Sequence, residues 1–165
     1  MGVLTWVDSS ESDREAKRLF EWAPSRSLLA SIRSYQRWRS SPWGFVLCKL
    51  AVIRHRFWSA VTGADIPINS RLGPGLLIPH PTGIVIHPDA EIGPNCLIFS
   101  CVTIGTRGPR GIPVLGRNVD VGSGAKILGG VRIGDGAVIG ANAVVLSDVR
   151  AGATVVGIPA REIRS

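Results

Sequence analysis

The chain has 165 residues, 45% of them hydrophobic, which is enough for one domain with a real core plus an appendage. Nineteen Lys and Arg against twelve Asp and Glu leave a net charge of +7, which favours anionic partners. The three cysteines, Cys48, Cys96 and Cys101, are an odd number without ligand-like spacing, which excludes a disulfide framework and points to a reducing compartment. No run is long and apolar enough for a spanning helix, and the N-terminus shows no signal-peptide pattern, so the expected location is cytoplasmic.

In chain order, the first elements are helices. Asp8-Ser9-Ser10 before an acidic turn reads as a helix start. Helices are expected near 11–22, 25–39 and 43–62, broken around Pro24 and Ser40-Ser41-Pro42. Nine of the ten aromatics precede residue 59, and no Asp or Glu lies between Trp22 and Ala64. That stretch holds Arg26, Arg33, Arg37, Arg39, Lys49, Arg54 and Arg56. The favoured reading is packing: the helices cover one end of the following domain or meet neighbouring subunits. The sharper reading is an anionic partner, either a membrane surface, with the chain peripheral at the inner membrane, or a polyanionic glycan. Nucleic acid is not expected, since no recognition motif accompanies the charge. His55 reads as solvated or packed.

A six-residue rhythm fills the rest. An aliphatic residue followed by a small or turn residue stands at Ile66, Leu72 and Ile78. It recurs at Ile86, Ile92, Ile98 and Ile104, then at Leu115, Val121, Ile127, Ile133, Ile139, Val145 and Ala151. Two positions earlier stands a small or β-branched residue, such as Ala90, Cys96, Val102, Ala125 or Val149. This period marks a hexapeptide parallel β-helix. Both residues point inward because strand side chains alternate faces, and glycine after the aliphatic residue is expected to supply corner angles. No single repeat buries its own apolar face, so coils stack. The expected organisation is a helical segment over 1–64 and a β-helix over 65–165.

The rhythm breaks twice. One break is Ile78-Pro79-His80-Pro81-Thr82-Gly83. The other is Thr106 to Pro113, which must be ejected as a loop near 105–114. Loops on a rigid scaffold concentrate function, and a histidine in the first break is a candidate base. His87 sits in an ordinary turn and reads as structural. Three converging histidines would be needed for a hydratase-type zinc site, and the repeat region offers only His80 and His87, so no metal is expected.

These residues carry a resemblance. Ala64-Asp65-Ile66-Pro67, Leu72-Gly73-Pro74-Gly75, His80-Pro81-Thr82-Gly83-Ile84-Val85-Ile86 and the tail Val155 to Arg161 resemble the serine acetyltransferase family. They resemble still more the short colanic-acid-type enzymes that O-acetylate exopolysaccharides. The resemblance implies a left-handed β-helix, a homotrimer, acetyl-CoA as donor and an active site between subunits. Matched residue by residue, it implies His80 as general base and Asp65 as its orienting acid. Coenzyme A would lie along Gly105, Thr106, Ser123, Ala141 and Arg161. Pro79, Arg107 and Arg110 would border the acceptor. Pro79 stands where the family has an acid, and the loop Arg110-Gly111-Ile112-Pro113 lacks the family's histidine. Burying serine's charges without those partners is costly. The expected acceptor is therefore a sugar hydroxyl of an exopolysaccharide or its precursor, with L-serine, and thus O-acetyl-L-serine for cysteine biosynthesis, as the alternative.

Overall fold

The computed structural model describes residues 22–42, 44–109 and 111–163. The helix expected over 11–22 falls outside the described residues except for Trp22, and so does Arg110. The other two helices are present as α1 (Pro24–Trp38) and α2 (Gly44–Thr62). Pro24 opens α1, where its missing N–H costs no bond.

Among the described residues, thirteen short strands form three sheets. The first holds β1 (Arg71–Leu72), β3 (Glu91–Ile92), β6 (Val114–Leu115) and β9 (Arg132–Ile133). The second holds β4 (Leu97–Ile98), β7 (Asp120–Val121), β10 (Val138–Ile139), β12 (Thr154–Val156) and β13 (Arg161–Ile163). The third holds β2 (Val85–Ile86), β5 (Thr103–Gly105), β8 (Lys126–Leu128) and β11 (Val144–Val145). The chain visits the three sheets in turn, and each coil lies parallel on the last. The result is a left-handed parallel β-helix of hexapeptide repeats, with two helices at its N-terminal end.

The register records each irregularity. Val85 pairs with Thr103 and Lys126 with Val144, one eighteen-residue coil apart. Leu77 pairs with Leu97, twenty positions on, so two extra residues enter around His80. Thr103 pairs with Lys126 and Glu91 with Val114, twenty-three positions on, so five extra residues leave as the 106–113 loop. A third break was not legible in the repeat. Ile133 pairs with Val149, only sixteen positions on. Val149 therefore takes the aliphatic inward place and Ala151, expected there, is exposed. The other aliphatic positions of the rhythm are buried in one continuous core.

The glycines act differently from expectation. Those after the inward aliphatic residue, such as Gly93, do not adopt positive φ. A Cβ on Gly93 would strike the Gly116 carbonyl of the next coil, so close stacking requires the glycine. Left-handed backbone lies elsewhere, mostly in two corner columns. One runs through Gly75, Asn95, Asn118, Gly136 and Gly152, the other through Gly63, Gly83, Cys101, Gly124 and Asn142. Glycine and asparagine suit that region; Cys101 is the outlier.

Helix α1 covers the first coil. Leu28, Leu29 and Ile32 are fully or nearly fully buried and join the coil's core. The Arg33 guanidinium donates to the carbonyls of Leu72 and Gly73, both at 2.6 Å, and Gln36 donates to Ser70 O at 2.9 Å. From α2, His55 Nε2 meets Ile66 O at 2.8 Å. The packing reading of these helices thus holds for their inner faces, and His55 is a packed residue. At the far end, β13 runs antiparallel to β12, and Ala160 N donates to Val144 O at 2.8 Å. There Glu162 holds Arg150, chiefly through their hydrogen bond and then through its charge, raising a guanidinium pKa that is already high. Both side chains face solvent, so the pair stabilises little.

Candidate active site

The corner joining the second sheet to the third gathers most of the candidate residues. Backbone bonds stack it coil on coil: Gly83 N to Gly63 O (2.8 Å), Cys101 N to Thr82 O (2.9 Å), Gly124 N to Ser100 O (2.8 Å) and Asn142 N to Ser123 O (2.8 Å). Between Ile78 and Gly83 stand four residues, where the next coil has only Phe99 and Ser100 between Ile98 and Cys101. The surplus must bulge outward, and it contains His80, which is exposed along with Pro79. Gly83, at φ 71°, ends the bulge; a Cβ there would come 3.1 Å from Cys101 Sγ.

Asp65 borders the same corner one coil earlier. Its backbone pairs beside Val85 through Asp65 N to Ile84 O (2.8 Å) and Ile86 N to Asp65 O (3.0 Å). Ile66 points inward, so the Asp65 side chain faces out. His80 and Asp65 are thus neighbours on adjacent coils. Among the described residues, no hydrogen bond or ion pair joins their side chains, and such bonds often close only around substrate.

Further along the corner, Ser123 and Ala141 occupy successive coils and are exposed. Ser100 and Ser123 hydroxyls lie 3.2 Å apart. Arg161 pairs with Val156 at the end of β12, next to Gly140, so it lies near the foot of this column. Small exposed side chains leave backbone groups open to a long ligand, and a cation stands at the end.

Gly105 and Thr106 do not belong to this corner. Gly105 ends β5 and Thr106 follows it, at the opposite edge of the third sheet, where Gly129 N donates to Gly105 O at 2.9 Å. Four backbone steps separate Gly105 from Cys101, about 13 Å at about 3.3 Å per step. Arg107, exposed in the loop, shares that edge. The candidate residues of a single chain thus fall into two groups on opposite edges of one sheet.

Two neighbours of the site escaped sequence reasoning. Lys126 projects from the outer face of the third sheet, in one column with Asp65, Val85, Thr103 and Val144. Its ammonium donates to Cys101 O at 2.7 Å, which leans a cation toward the His80 corner. A lysine at an outward place in the strand column that also carries Asp65 was the available signal. Cys101 is exposed, whereas Cys96 is buried in the inward column, as expected for a core residue. The Nδ1 of His87 accepts from Asp89 N at 3.2 Å, consistent with a turn residue. Among the described residues, no cluster of three metal-ligating side chains occurs.

Comparison with known proteins converges on one family. Residues 112–147 match the bacterial transferase hexapeptide (six repeats) family. A serine acetyltransferase of Synechococcus elongatus is 47% identical over 106 residues, spanning 62% of this chain and 43% of that protein. A serine acetyltransferase of Staphylococcus aureus strain Mu50 is 34% identical over 164 residues, spanning 91% of this chain and 76% of its own. Soybean serine acetyltransferase complexed with serine superposes with a TM-score of 0.73 at 37% identity, covering 86% of this chain and 58% of that one. A serine acetyltransferase in complex with CoA gives 0.72 at 32%, covering 86% and 58%. The chain spans about half the length of several curated relatives, 43% and 62% for two of them. These findings correct two expectations. The relatives described are serine acetyltransferases, not colanic-acid-type enzymes, and an exopolysaccharide sugar as acceptor loses its support. The missing acid at Pro79 and the missing loop histidine stand in a chain that is otherwise alike over 91% of its length to one such relative. With matched repeats, a shared fold and 34% identity across 91% of its length, this chain belongs to the serine acetyltransferase family.

Proposed function

We propose that the chain transfers the acetyl group of acetyl-CoA to the hydroxyl of L-serine, forming O-acetyl-L-serine and free CoA. The observation that carries this is the bulge that pushes His80 out of the corner beside Asp65, in a chain whose relatives bear that name. Acetyl-CoA supplies an acetyl thioester, activated toward a hydroxyl. His80 takes the serine hydroxyl proton as the new C–O bond forms, and returns it to the departing sulfur as the C–S bond breaks. A positioned base of this kind contributes about a hundred- to ten-thousand-fold. Asp65 fixes the ring's tautomer and stabilises its charged form. Backbone N–H groups at the corner steady the developing oxyanion. Serine's carboxylate needs a cation, and Arg107, Arg110 and Lys126 are the candidates; Pro79 shapes the wall beside the base. Ser123, Ala141 and Arg161 hold CoA along the corner, while Gly105 and Thr106 hold it from the other edge.

Two half-sites on opposite edges of one sheet meet only if separate chains supply them. We therefore take the working form as a homotrimer, with residues 65–165 as the catalytic unit and 1–64 as a helical appendage. Thiol release at saturating acetyl-CoA should depend on L-serine, with a Michaelis constant in the millimolar range or below, about that of a cognate substrate. His80→Ala should lower turnover about a hundredfold or more while leaving the assembly intact; Asp65→Asn should cost less. Absence of serine-dependent release overturns the acceptor assignment. Normal turnover in His80→Ala overturns the mechanism, and sedimentation at the 17.6 kDa monomer mass overturns the trimer.

A further inference from the structure

Helix α2 has two apolar faces, and among the described residues one of them is covered. Ala51, Thr62 and the bonded His55 turn toward α1 and the coil. On the opposite side, Val46, Leu50, Ile53 and Phe57 are each more than half exposed, and Val61 is 42% exposed. At about 100° per residue these five fall on one continuous stripe. Its flanks are cationic. Lys49 and Arg56 line one side and Arg54 the other, all three exposed. Lys49 Nζ sits 4.1 Å from the centre of the Phe45 ring at the stripe's edge. At the C-terminal end, Phe57 packs edge-on to Trp58 at 5.0 Å, and the exposed Trp22 packs edge-on to Trp58 at 5.6 Å.

We infer that this face of α2 docks the protein on an anionic lipid surface, lying in the interface plane. An apolar stripe between two rows of cations is the pattern of an interfacial helix. The stripe enters the acyl boundary while long Lys and Arg stems reach back to the headgroups. Charge selects this occupant. With no Asp or Glu between Trp22 and Ala64, a second copy laid stripe against stripe would bring cationic rims together without an acid to pair them. An anionic headgroup layer pairs them all. No helix among the described residues can cross a membrane, so the contact is peripheral. This inference is independent of the acceptor and of the catalytic assignment.

The rival occupant is the stretch before Trp22, which carries Asp8, Glu11, Asp13, Glu15 and Glu21. The full chain tests it directly. The experiment is flotation of the full chain with vesicles of equal parts phosphatidylglycerol and phosphatidylcholine, against phosphatidylcholine alone, at low and high salt. Binding is expected to the anionic vesicles, at least tenfold weaker to the neutral ones, and weakened by salt. Ile53→Ser with Phe57→Ser should lower the partition coefficient at least tenfold. Arg54→Gln and Arg56→Gln should each lower it about fivefold. All four side chains are exposed, so thermal midpoints should stay near that of the parent, and circular dichroism checks this. A full chain that stays off anionic vesicles overturns the inference, with the acidic stretch then covering the stripe. So does equal binding to both vesicles, or variants that bind like the parent. A double variant that keeps its vesicle binding but loses assembly mass makes the stripe a contact between copies and overturns it as well.

Discussion

The coil and the helical cap solve burial in opposite ways. In the coil the parallel strands alternate, one side chain in and one out, and inward residues stack on their equivalents in the adjoining coils. In the cap, α1 is committed to the coil through Leu28, Leu29 and Ile32, but α2 shows apolar residues to both sides and buries one. The cap is fastened by polar ties to carbonyls: Arg33 on Leu72 and Gly73, Gln36 on Ser70, and His55 on Ile66. A repeat that stacks on itself needs no such ties. A helix pair laid on the end of a prism meets bare carbonyls that the next coil would have paired, and must satisfy them with side chains.

The comparison can be broken at several depths. The largest effect should come from the coil interior. Ile127 is fully buried, and Ile127→Ala should destabilise the fold by about 4 kcal/mol, read by denaturant unfolding. A loss under about 1 kcal/mol would mean the column is looser than it looks. Gly93→Ala tests the stacking itself. Its Cβ would press on the backbone of the next coil, so it should cost more than Gly136→Ala. Gly136 has φ of 66° and open space around it, so alanine there should cost only the left-handed strain of about 1–2 kcal/mol. Reversal of that order would return the glycines to a purely conformational role.

The cap's ties come next. Arg33→Ala removes two hydrogen bonds from a charged donor and should cost about 2 kcal/mol. It should raise hydrogen exchange in α1 and α2 more than in the coil. Uniform exchange across the molecule would show that cap and coil unfold as one. The smallest effect has the opposite sign. Ser70 stands in the inward column beneath α1, and its hydroxyl is buried without a partner. Ser70→Ala should therefore stabilise by about 1 kcal/mol, visible as a higher thermal midpoint.

Much of this was legible beforehand. The period of six named the architecture, and the breaks at Ile78–Gly83 and in the 106–113 loop were seen as departures from it. The helices over 25–39 and 43–62 were placed within a residue or so at each end. The shortened coil before Val149 was missed because Val145 and Ala151 keep the six-residue spacing on paper; only strand pairing shows that the frame slips by two. Lys126 was missed because a lone lysine in a repeat looks like solvated surface until its ammonium is seen on the Cys101 carbonyl.

By itself the sequence determined the coil, because a repeat's inward residues depend only on neighbours a fixed distance along the chain. It also determined that His80 had to leave the ladder, because two surplus residues cannot fit a closed turn. Only the tertiary structure decided which residues share a corner. It grouped His80, Asp65, Ser123 and Ala141 and sent Gly105 and Thr106 to the far edge, because winding around a three-sided prism, not distance in sequence, sets which coils and corners meet. It also decided which face of α2 stays uncovered, since an apolar helix pattern carries no record of which side its own chain will reach.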